Sequence, residues 1–308
     1  MHIDINQLRQ LKTQDYEPTQ FEMSKSYLEE YNRKDFSEEN LAEIFHENTK
    51  HTRHQTFKLG PSAAMFSQDP SFAYMQAALK PDYGGKELID LPEPGDPDAS
   101  VTEALGNRRS TREFSGEGVT LQQLSTLLGR ACGVTGERDI ARHGDETVTQ
   151  TFRAYASAGA LYPVEIYFAV FNEGEDLPVG LYYYIPDEHG VRVISTEDPS
   201  PKVNDLFTLD QDVVQTENAS VAFFFTAAFW RARAKYGPRS YRYMMQESGH
   251  LVQNILLVAS AMDIGAVPLA GFHDSNVNDY LDVDGVNEAV IYTACLGYAA
   301  EHDHEHDD

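Results

Sequence analysis

The chain has 308 residues, with 49 acidic side chains against 24 lysines and arginines, and a formal net charge of −25. Nucleic acids and anionic membranes select basic surfaces, so neither is expected as a partner. An acid-rich, lysine-poor composition suits a cytoplasm with high salt, where counterions screen self-repulsion, and it predicts a halophilic source. No secretory signal or bilayer-length apolar run is visible, so a cytoplasmic protein is expected.

The first third of the chain differs in composition from the rest. Residues 1–90 are polar with short amphipathic pieces, and they are predicted to form a helical appendage. Their composition does not assign them a role. Residues 91–104 are rich in proline and are predicted to be a stiff linker, because each proline lacks an amide donor and restrains its predecessor. The main domain is placed at 105–298 and a disordered acidic tail at 299–308.

The main domain begins with a helix and a charged stretch. Thr120 is predicted to cap a helix whose Gln123 completes a capping box, with leucines following at helical spacing. Residues 137–150 are charged without periodicity and are predicted to form a mobile loop. Cys132, like Cys295 near the end of the chain, lies among apolar residues and is expected to be a buried thiol.

Strands and one long helix make up the remainder. Buried strands are predicted at 164–171, 221–226 and 289–296, and a hairpin at 181–194. A helix is predicted over 241–262, with Gly265 close to its end. Because there is no regular βαβ repeat, the pattern favours an α+β fold over a doubly wound sheet.

A cationic cluster lies near the start of the main domain. Its members are Arg108, Arg109, Ser110, Thr111 and Arg112. Guanidinium forks match phosphate oxygens, and hydroxyls add further donors, so the cluster is a candidate phosphate site. A solvated basic turn paired with surface carboxylates is the alternative interpretation.

Two stretches of small residues could admit a planar ligand to the backbone. The first, ahead of a predicted strand, is Ser157, Ala158, Gly159, Ala160 and Leu161. The second, after the long helix, is Pro268, Leu269, Ala270 and Gly271. Either could be a plain turn. With the arginine cluster they predict a phosphate-bearing planar cofactor, and the lack of a dinucleotide fingerprint favours a mononucleotide.

Together with the sequences at 180–184 and 249–254, these motifs resemble the nitroreductase superfamily. More narrowly they resemble its SagB-type branch, the dehydrogenases of thiazole and oxazole peptide synthesis. The resemblance covers residues 105–298, and residues 45–50 resemble a segment found upstream in that branch. It implies a homodimeric fold with a mixed, mostly antiparallel sheet flanked by helices, and FMN bound at the dimer interface.

The resemblance also implies roles for the motifs. Phosphate and ribityl contacts fall to Arg108, Arg109, Ser110 and Arg112. The isoalloxazine ring lies along the Ser157–Leu161 stretch, and its other edge meets the Pro268–Gly271 stretch. Many relatives carry a further basic residue near the C-terminus, whereas only histidines and acids follow Gly297 here. Phosphate binding is therefore expected to depend more on the 108–112 cluster.

Lys235 and Tyr236 resemble the Lys-Tyr pair of SagB-type dehydrogenases. Oxidising an azoline ring requires a general base, and we expect burial and the nearby Arg231, Arg233 and Arg239 to lower the pKa of this lysine. A surface lysine on a basic loop is the alternative. His250, nearly in line with the apolar face of the long helix, is interpreted as a core histidine rather than a catalytic one. No metal site is expected, since the histidines of the tail are interpreted as part of a solvated acidic end.

Three functions follow from the resemblance. The first is oxidation of azolines to azoles in a modified peptide, beside a cyclodehydratase and a precursor peptide. The second is an NAD(P)H-dependent flavin reductase acting on nitro, quinone or enone compounds. The third, a flavin-binding scaffold without turnover, is disfavoured because Lys235 and Tyr236 are retained.

Overall fold

A computed structural model describes residues 45–46, 48–50, 66, 72, 83, 85–141 and 147–301. The chain divides into two compact units, residues 1–58 and residues 59–308. In the first unit the description is limited to a helical fragment, where the Thr49 hydroxyl donates to the Phe45 carbonyl at 2.6 Å. The predictions for residues 1–44 and for the tail beyond residue 301 concern residues that lie outside this description.

The second unit is built on an antiparallel sheet. Its order is β1-β6-β5-β4-β7-β9-β8, and every neighbouring pair is antiparallel. The strands are β1 (Leu88–Asp90), β4 (Val164–Val170), β5 (Gly180–Ile185), β6 (Gly190–Ser195), β7 (Val221–Ala228), β8 (Gly265–Leu269) and β9 (Glu288–Gly297). A separate two-stranded sheet pairs β2 (Val134–Ala141) with β3 (Thr147–Arg153).

Helices cover both faces of the larger sheet. They are α1 (Val101–Asn107), α2 (Leu121–Cys132), α3 (Val203–Leu206), α4 (Phe229–Tyr236), α5 (Ser240–Ala261) and α6 (Asp274–Leu281). Leucines and isoleucines of α2 and α5 share one core cluster with Ile166 and Phe168 of β4. Apolar residues of α3 and α6 share another with Tyr167, which lies on the opposite face of the strand. These two clusters confirm the α+β class.

Strands β4 and β7, at the centre of the sheet, are well predicted by their hydrophobic runs. All seven residues of β4 and all eight of β7 are buried, because helices cover both sides. Their register pairs Val164 with Ala227 and Val170 with Val221. The start of β4 therefore lies beside the end of β7. The loop that precedes β4 and the helix that follows β7 meet at this end of the sheet.

The predicted loop at 137–150 is instead largely a hairpin. Strands β2 and β3 pair from Val134↔Arg153 to Ala141↔Thr147, with a bulge near the start. Charged and polar side chains occupy the exposed positions of both strands, so the hydrophobic alternation that marks a strand is missing. Only residues 142–146, at the turn, lie outside the description.

The segment boundaries differ from the predicted ones. Strand β1 pairs with β6, so the sheet begins inside the stretch assigned to the appendage. The proline-rich segment is extended as far as Ser100, but it lies against α2, where the Arg130 guanidinium donates to the carbonyls of Pro94 and Gly95. Helix α1 then begins within the proposed linker, because Ser100 and Glu103 form a capping box.

Two other expectations, the capping box of α2 and the burial of both cysteines, are confirmed. Thr120 and Gln123 form the predicted capping box at the start of α2. Both cysteines are fully buried free thiols. Within the described part of the chain, no helix combines the length and hydrophobicity needed to cross a membrane.

Candidate active site

A strained turn carries the first small-residue stretch. Gly159 has φ +68°, and Ala160 and Tyr162 also have positive φ, at 53° and 45°. Non-glycine residues adopt this region rarely, and a cluster of them is typical of binding sites. Leu161 anchors the turn because its side chain is fully buried, whereas Gly159 is exposed.

A buried carboxyl of α5 holds the turn from below. The Ser157 hydroxyl donates to Glu247, and the Val164 amide donates to the other oxygen of Glu247 at 3.3 Å. The Ser157 oxygen in turn accepts from the Tyr162 amide at 2.9 Å. Burial raises the pKa of Glu247 to about 7, against the lowering effect of these hydrogen bonds. Sequence analysis missed Glu247, which has the spacing of a helix residue and no motif of its own.

Lys235 and Tyr236 pack directly on this turn. A Cβ atom placed on Gly159 would lie 2.6 Å from Lys235 Nζ and 2.5 Å from the Tyr236 hydroxyl. Only a residue without a side chain leaves room for both groups. The structure thus brings the candidate base and the candidate ring-binding turn into one site.

The electrostatic environment of Lys235 differs in part from the expected one. Its pKa is lowered, and burial is the cause. Its ammonium also lies 5.4 Å from the ring centroid of Phe66 and 5.2 Å from that of Tyr236. Arg231 does not act as the expected neighbouring charge, since it turns into the core. Burial also raises the pKa of the Tyr236 hydroxyl, which stays protonated and able to donate near neutral pH.

Arg231 fixes helix α4 to the sheet. It is 1% exposed and forms an ion pair with Glu165 of β4 at 2.5 Å. It also donates to the Tyr162 carbonyl, while the Tyr183 hydroxyl donates to Glu165 at 2.7 Å. One guanidinium therefore links the helix that carries Lys235 to the turn on which Lys235 packs.

A cavity of about 790 Å³ opens above this turn. Its volume lies in the range of small-molecule sites. None of its described lining residues is an aspartate or a glutamate. The lining comprises Phe66, Arg138, Gln150, Phe152, Arg153, Ala154, Tyr155, Ala156, Ser157, Gly159, Ala160, Tyr162 and Lys235. The hairpin residues in this list escaped sequence analysis, because their segment was predicted to be a mobile loop.

The arginine cluster lies at a different cavity. Arg108 and Arg109 line a space of about 220 Å³ together with Thr111, Ser260 and Asp263. Ser110 and Arg112, the other two members of the predicted phosphate site, are not among its lining residues. The Thr111 amide donates to the Ala266 carbonyl at 3.1 Å, which ties the cluster to the sheet edge. Guanidiniums and hydroxyls at the wall are the donor set that suits a phosphate. The cluster lies between α1, which ends at Asn107, and α2, which begins at Leu121.

The second small-residue stretch is largely not a loop. Pro268 and Leu269 belong to β8, an edge strand of the sheet, and the Leu269 side chain is buried. Proline is tolerated there because an edge strand has one unpaired side. Ala270 and Gly271 follow the strand, and a Cβ on Gly271 would meet the Thr208 hydroxyl at 2.5 Å. Leu269 therefore belongs to the core, and none of the four residues lines either of the two cavities described above.

The two cavities lie at opposite ends of α5. Glu247 supports the Gly159 turn, whereas Ser260 lines the arginine cavity. Glu247 and Ser260 are thirteen positions apart in the helix, which corresponds to roughly 20 Å along its axis.

Two further residues of α5 contact the segment that leads into the turn. His250 is exposed rather than part of the core, and its Nδ1 lies 3.2 Å from the Ala156 carbonyl. The Asn254 amide donates to the carbonyls of Ala131 and Ala154. Asn254 thereby joins α2 to the chain that leads into the turn.

An antiparallel sheet with helices on both faces is the architecture that the protein shares with solved nitroreductase structures. The chain belongs to the Nitroreductase family, whose pattern it matches over residues 105–298. Membership makes the protein an oxidoreductase of a family that generally binds flavin.

Three comparisons are informative. The chain is 30% identical over 197 residues to "Putative nitroreductase MJ1384" of Methanocaldococcus jannaschii, covering 64% of this chain and 91% of that protein. It is 29% identical over 148 residues to the microcin B17-processing protein McbC of Escherichia coli, covering 47% of this chain and 54% of that protein. The E. coli microcin synthetase McbBCD complex with truncated pro-MccB17 bound contains the same fold, with a TM-score of 0.51 at 20% identity over 86% of this chain and 99% of that one.

Proposed function

We propose that the protein is an FMN-dependent dehydrogenase of SagB type, which oxidises azoline rings to azoles in a modified peptide. The observation that carries the proposal is the packing of Lys235 Nζ and the Tyr236 hydroxyl on Gly159, at the floor of a large cavity. Similarity to a microcin-processing protein supports a peptide as substrate.

The residues present fit FMN in two places. Arg108, Arg109 and Thr111 offer the donors for its phosphate, and a 220 Å³ cavity is too small for the whole cofactor. Gly159 leaves a backbone surface on which a flat ring can lie. When bound, FMN supplies the two-electron acceptor that takes up a hydride.

Lys235 is the proposed base. Oxidation of an azoline breaks two ring C–H bonds and forms one double bond, and one hydrogen leaves as a proton and the other as a hydride. The neutral amine of Lys235 accepts the proton, and the lowered pKa increases the fraction of that form near neutral pH. Tyr236 donates a hydrogen bond that orients the ring, because its hydroxyl lies at the same point of the turn.

A homodimer would complete the site. Since the phosphate donors and the Gly159 turn lie roughly 20 Å apart along α5, we propose that each FMN contacts the arginine cavity of one protomer and the turn of its partner. The proposal includes a cyclodehydratase and a precursor peptide as partners, by similarity to the microcin synthetase complex.

The test of the base is Lys235→Ala, with Lys202→Ala as the matched control. Lys202 is an exposed lysine that pairs with Glu197 at 3.7 Å. With flavin retained, Lys235→Ala should abolish the loss of two hydrogen atoms from an azoline peptide, as followed by mass spectrometry. Unchanged turnover would remove Lys235 from the mechanism and the SagB assignment with it.

The test of the shared site is a mixed dimer. A protomer carrying Arg108→Gln and Arg109→Gln is combined with one carrying Lys235→Ala, each inactive by itself. If the site is shared, statistical mixing should restore about a quarter of wild-type activity, because half of the dimers carry one intact site. A site contained in one chain would give no recovery.

The similarity to an archaeal protein named for nitroreductase activity favours a second candidate, an NAD(P)H-dependent flavin reductase. Anaerobic NADPH distinguishes the two. Rapid bleaching of the flavin supports the reductase, whereas an oxidised flavin that is bleached by an azoline peptide supports the dehydrogenase.

A further inference from the structure

The wall of the large cavity contrasts with the rest of the protein. The chain carries 49 carboxylates against 24 lysines and arginines. The cavity nevertheless has Arg138, Arg153 and Lys235 among its lining residues and no described carboxylate. A cleft lined by one sign of charge concentrates ligands of the opposite sign.

Two exposed bases outside the cavity have carboxylate partners, whereas others, such as Lys86 and Arg192, donate to backbone carbonyls. Arg130 pairs with Asp96 at 2.9 Å and Lys202 with Glu197 at 3.7 Å. In the part of the chain that the structure describes, no carboxylate lies within 4.0 Å of Arg138 or Lys235. Lys235 is the proposed base, so Arg138 is the cation of this cavity that is left for an external anion.

Arg138 is placed to meet a ligand that enters from solvent. It is exposed on β2, its Nη2 donates to the Gln150 side chain at 2.9 Å, and its guanidinium lies 5.5 Å from the ring centroid of Phe152. The buried Gln150 and the aromatic ring orient the guanidinium fork. Its remaining donors suit the two oxygens of a carboxylate.

Arg153 adds an incompletely satisfied donor to the same wall. It is 7% exposed and stacks 4.6 Å from the ring centroid of Tyr162, and its contact with Asp187 is long, at 4.0 Å. Among the described residues, its Nε has no hydrogen-bond partner. Buried donors without a partner are rare and often mark a site that a ligand completes.

We propose that this wall is a substrate subsite for a carboxylate of the modified peptide, with Arg138 as the residue that determines the preference. The inference rests on the proposed function for the identity of the peptide. The proposed function assigns phosphate recognition to the separate cavity at Arg108 and Arg109, so Arg138 is available for a different anion.

The experiment uses the flavin-loaded protein and two azoline peptides that differ only in Asp or Asn beside the ring. A third peptide has Asn beside the ring and an amidated C-terminus, and so distinguishes a side-chain carboxylate from the chain end. The readout is the ratio of the KM values of two peptides measured with the same protein variant. A single KM is not informative, because the net charge of −25 repels every anionic peptide. Wild type should favour the Asp peptide by about tenfold in KM with similar kcat, as expected for a hydrogen bond to a charged group.

Arg138→Gln should remove this preference, while Arg130→Gln, outside the cavity, should keep it. If Arg138→Gln keeps the preference, or if wild type treats all three peptides alike, the inference is wrong. If Arg138→Gln weakens NADPH binding and leaves the peptide preference unchanged, the wall binds a nucleotide and the inference is also wrong.

Fluorescence anisotropy with labelled peptides separates this inference from the proposed function. Carboxylate preference in binding that depends on Arg138, without any azole formation, would keep the subsite and refute the dehydrogenase. Azole formation without a carboxylate preference would support the dehydrogenase and refute the subsite.

Discussion

Gly159→Ala tests whether the contact between the turn and Lys235 sets the reaction rate. The new Cβ would lie 2.6 Å from Lys235 Nζ, while ordinary contact begins near 3.4 Å. The amine must therefore retreat by about 0.8 Å, and displacements of roughly 1 Å at reacting groups can lower kcat by about a hundredfold. Both colliding atoms are the ends of side chains and can move, so we expect a small loss of stability. Alanine at φ +68° costs roughly 1–2 kcal/mol, partly offset by a less flexible unfolded chain.

The assay combines azole formation, flavin content and thermal unfolding of one preparation. Gly249→Ala is the matched control, because nothing lies within 4 Å of a Cβ at that position of α5. Alanine should slightly stabilise the helix there and leave turnover unchanged. A Gly159→Ala protein with wild-type kcat would refute the argument that this contact positions the base.

Three further predictions concern stability. Arg231→Met should reduce the free energy of unfolding by about 3–5 kcal/mol in a denaturant titration, because Glu165 would remain buried without its partner. Adding Glu165→Met to this variant should recover much of the loss. The pKa of Glu247 is raised from 4.5 to about 7 in the folded protein, so the folded protein binds this proton more tightly than the unfolded chain does. The contribution of Glu247 to the free energy of unfolding therefore falls as the pH rises from about 4.5 to 7. Glu247→Gln should remove that component, up to roughly 3 kcal/mol, and an identical pH dependence in the two proteins would contradict the assignment. The unfolding temperature should rise between about 0.1 M and 2 M KCl, because salt screens the repulsion among excess carboxylates, and a fall would refute the halophilic interpretation.

The fold was predictable where local signals and packing agree. Helix α5 shows apolar residues at helical spacing, and α2 begins at a capping box, so both were found within one or two residues. Strands β4 and β7 are apolar throughout because both sheet faces are covered. The hairpin of β2 and β3 has no such pattern, since most of its side chains are polar and its pairing depends on a distant partner strand.

The site was predictable in its parts and not in its assembly. Resemblance supplied Lys235, Tyr236 and the small residues around Gly159, but their contact depends on the register between β4 and β7. No local property of the chain encodes that register. Arg231 illustrates the same limit, because an arginine in a basic segment is expected to lie in solvent, whereas this one is buried against Glu165.

The direct passage from β7 into α4 has a dynamic consequence. Strand β7 ends at Ala228 and the helix begins at Phe229, with no intervening loop, and the strand is hydrogen-bonded on both sides by β4 and β9. A helix joined in this way to the middle of a sheet, and tied down again through Arg231, has no independent hinge. Its amides should exchange with deuterium only when the whole domain opens, so the candidate base belongs to the slowest-exchanging part of the molecule rather than to a mobile lid.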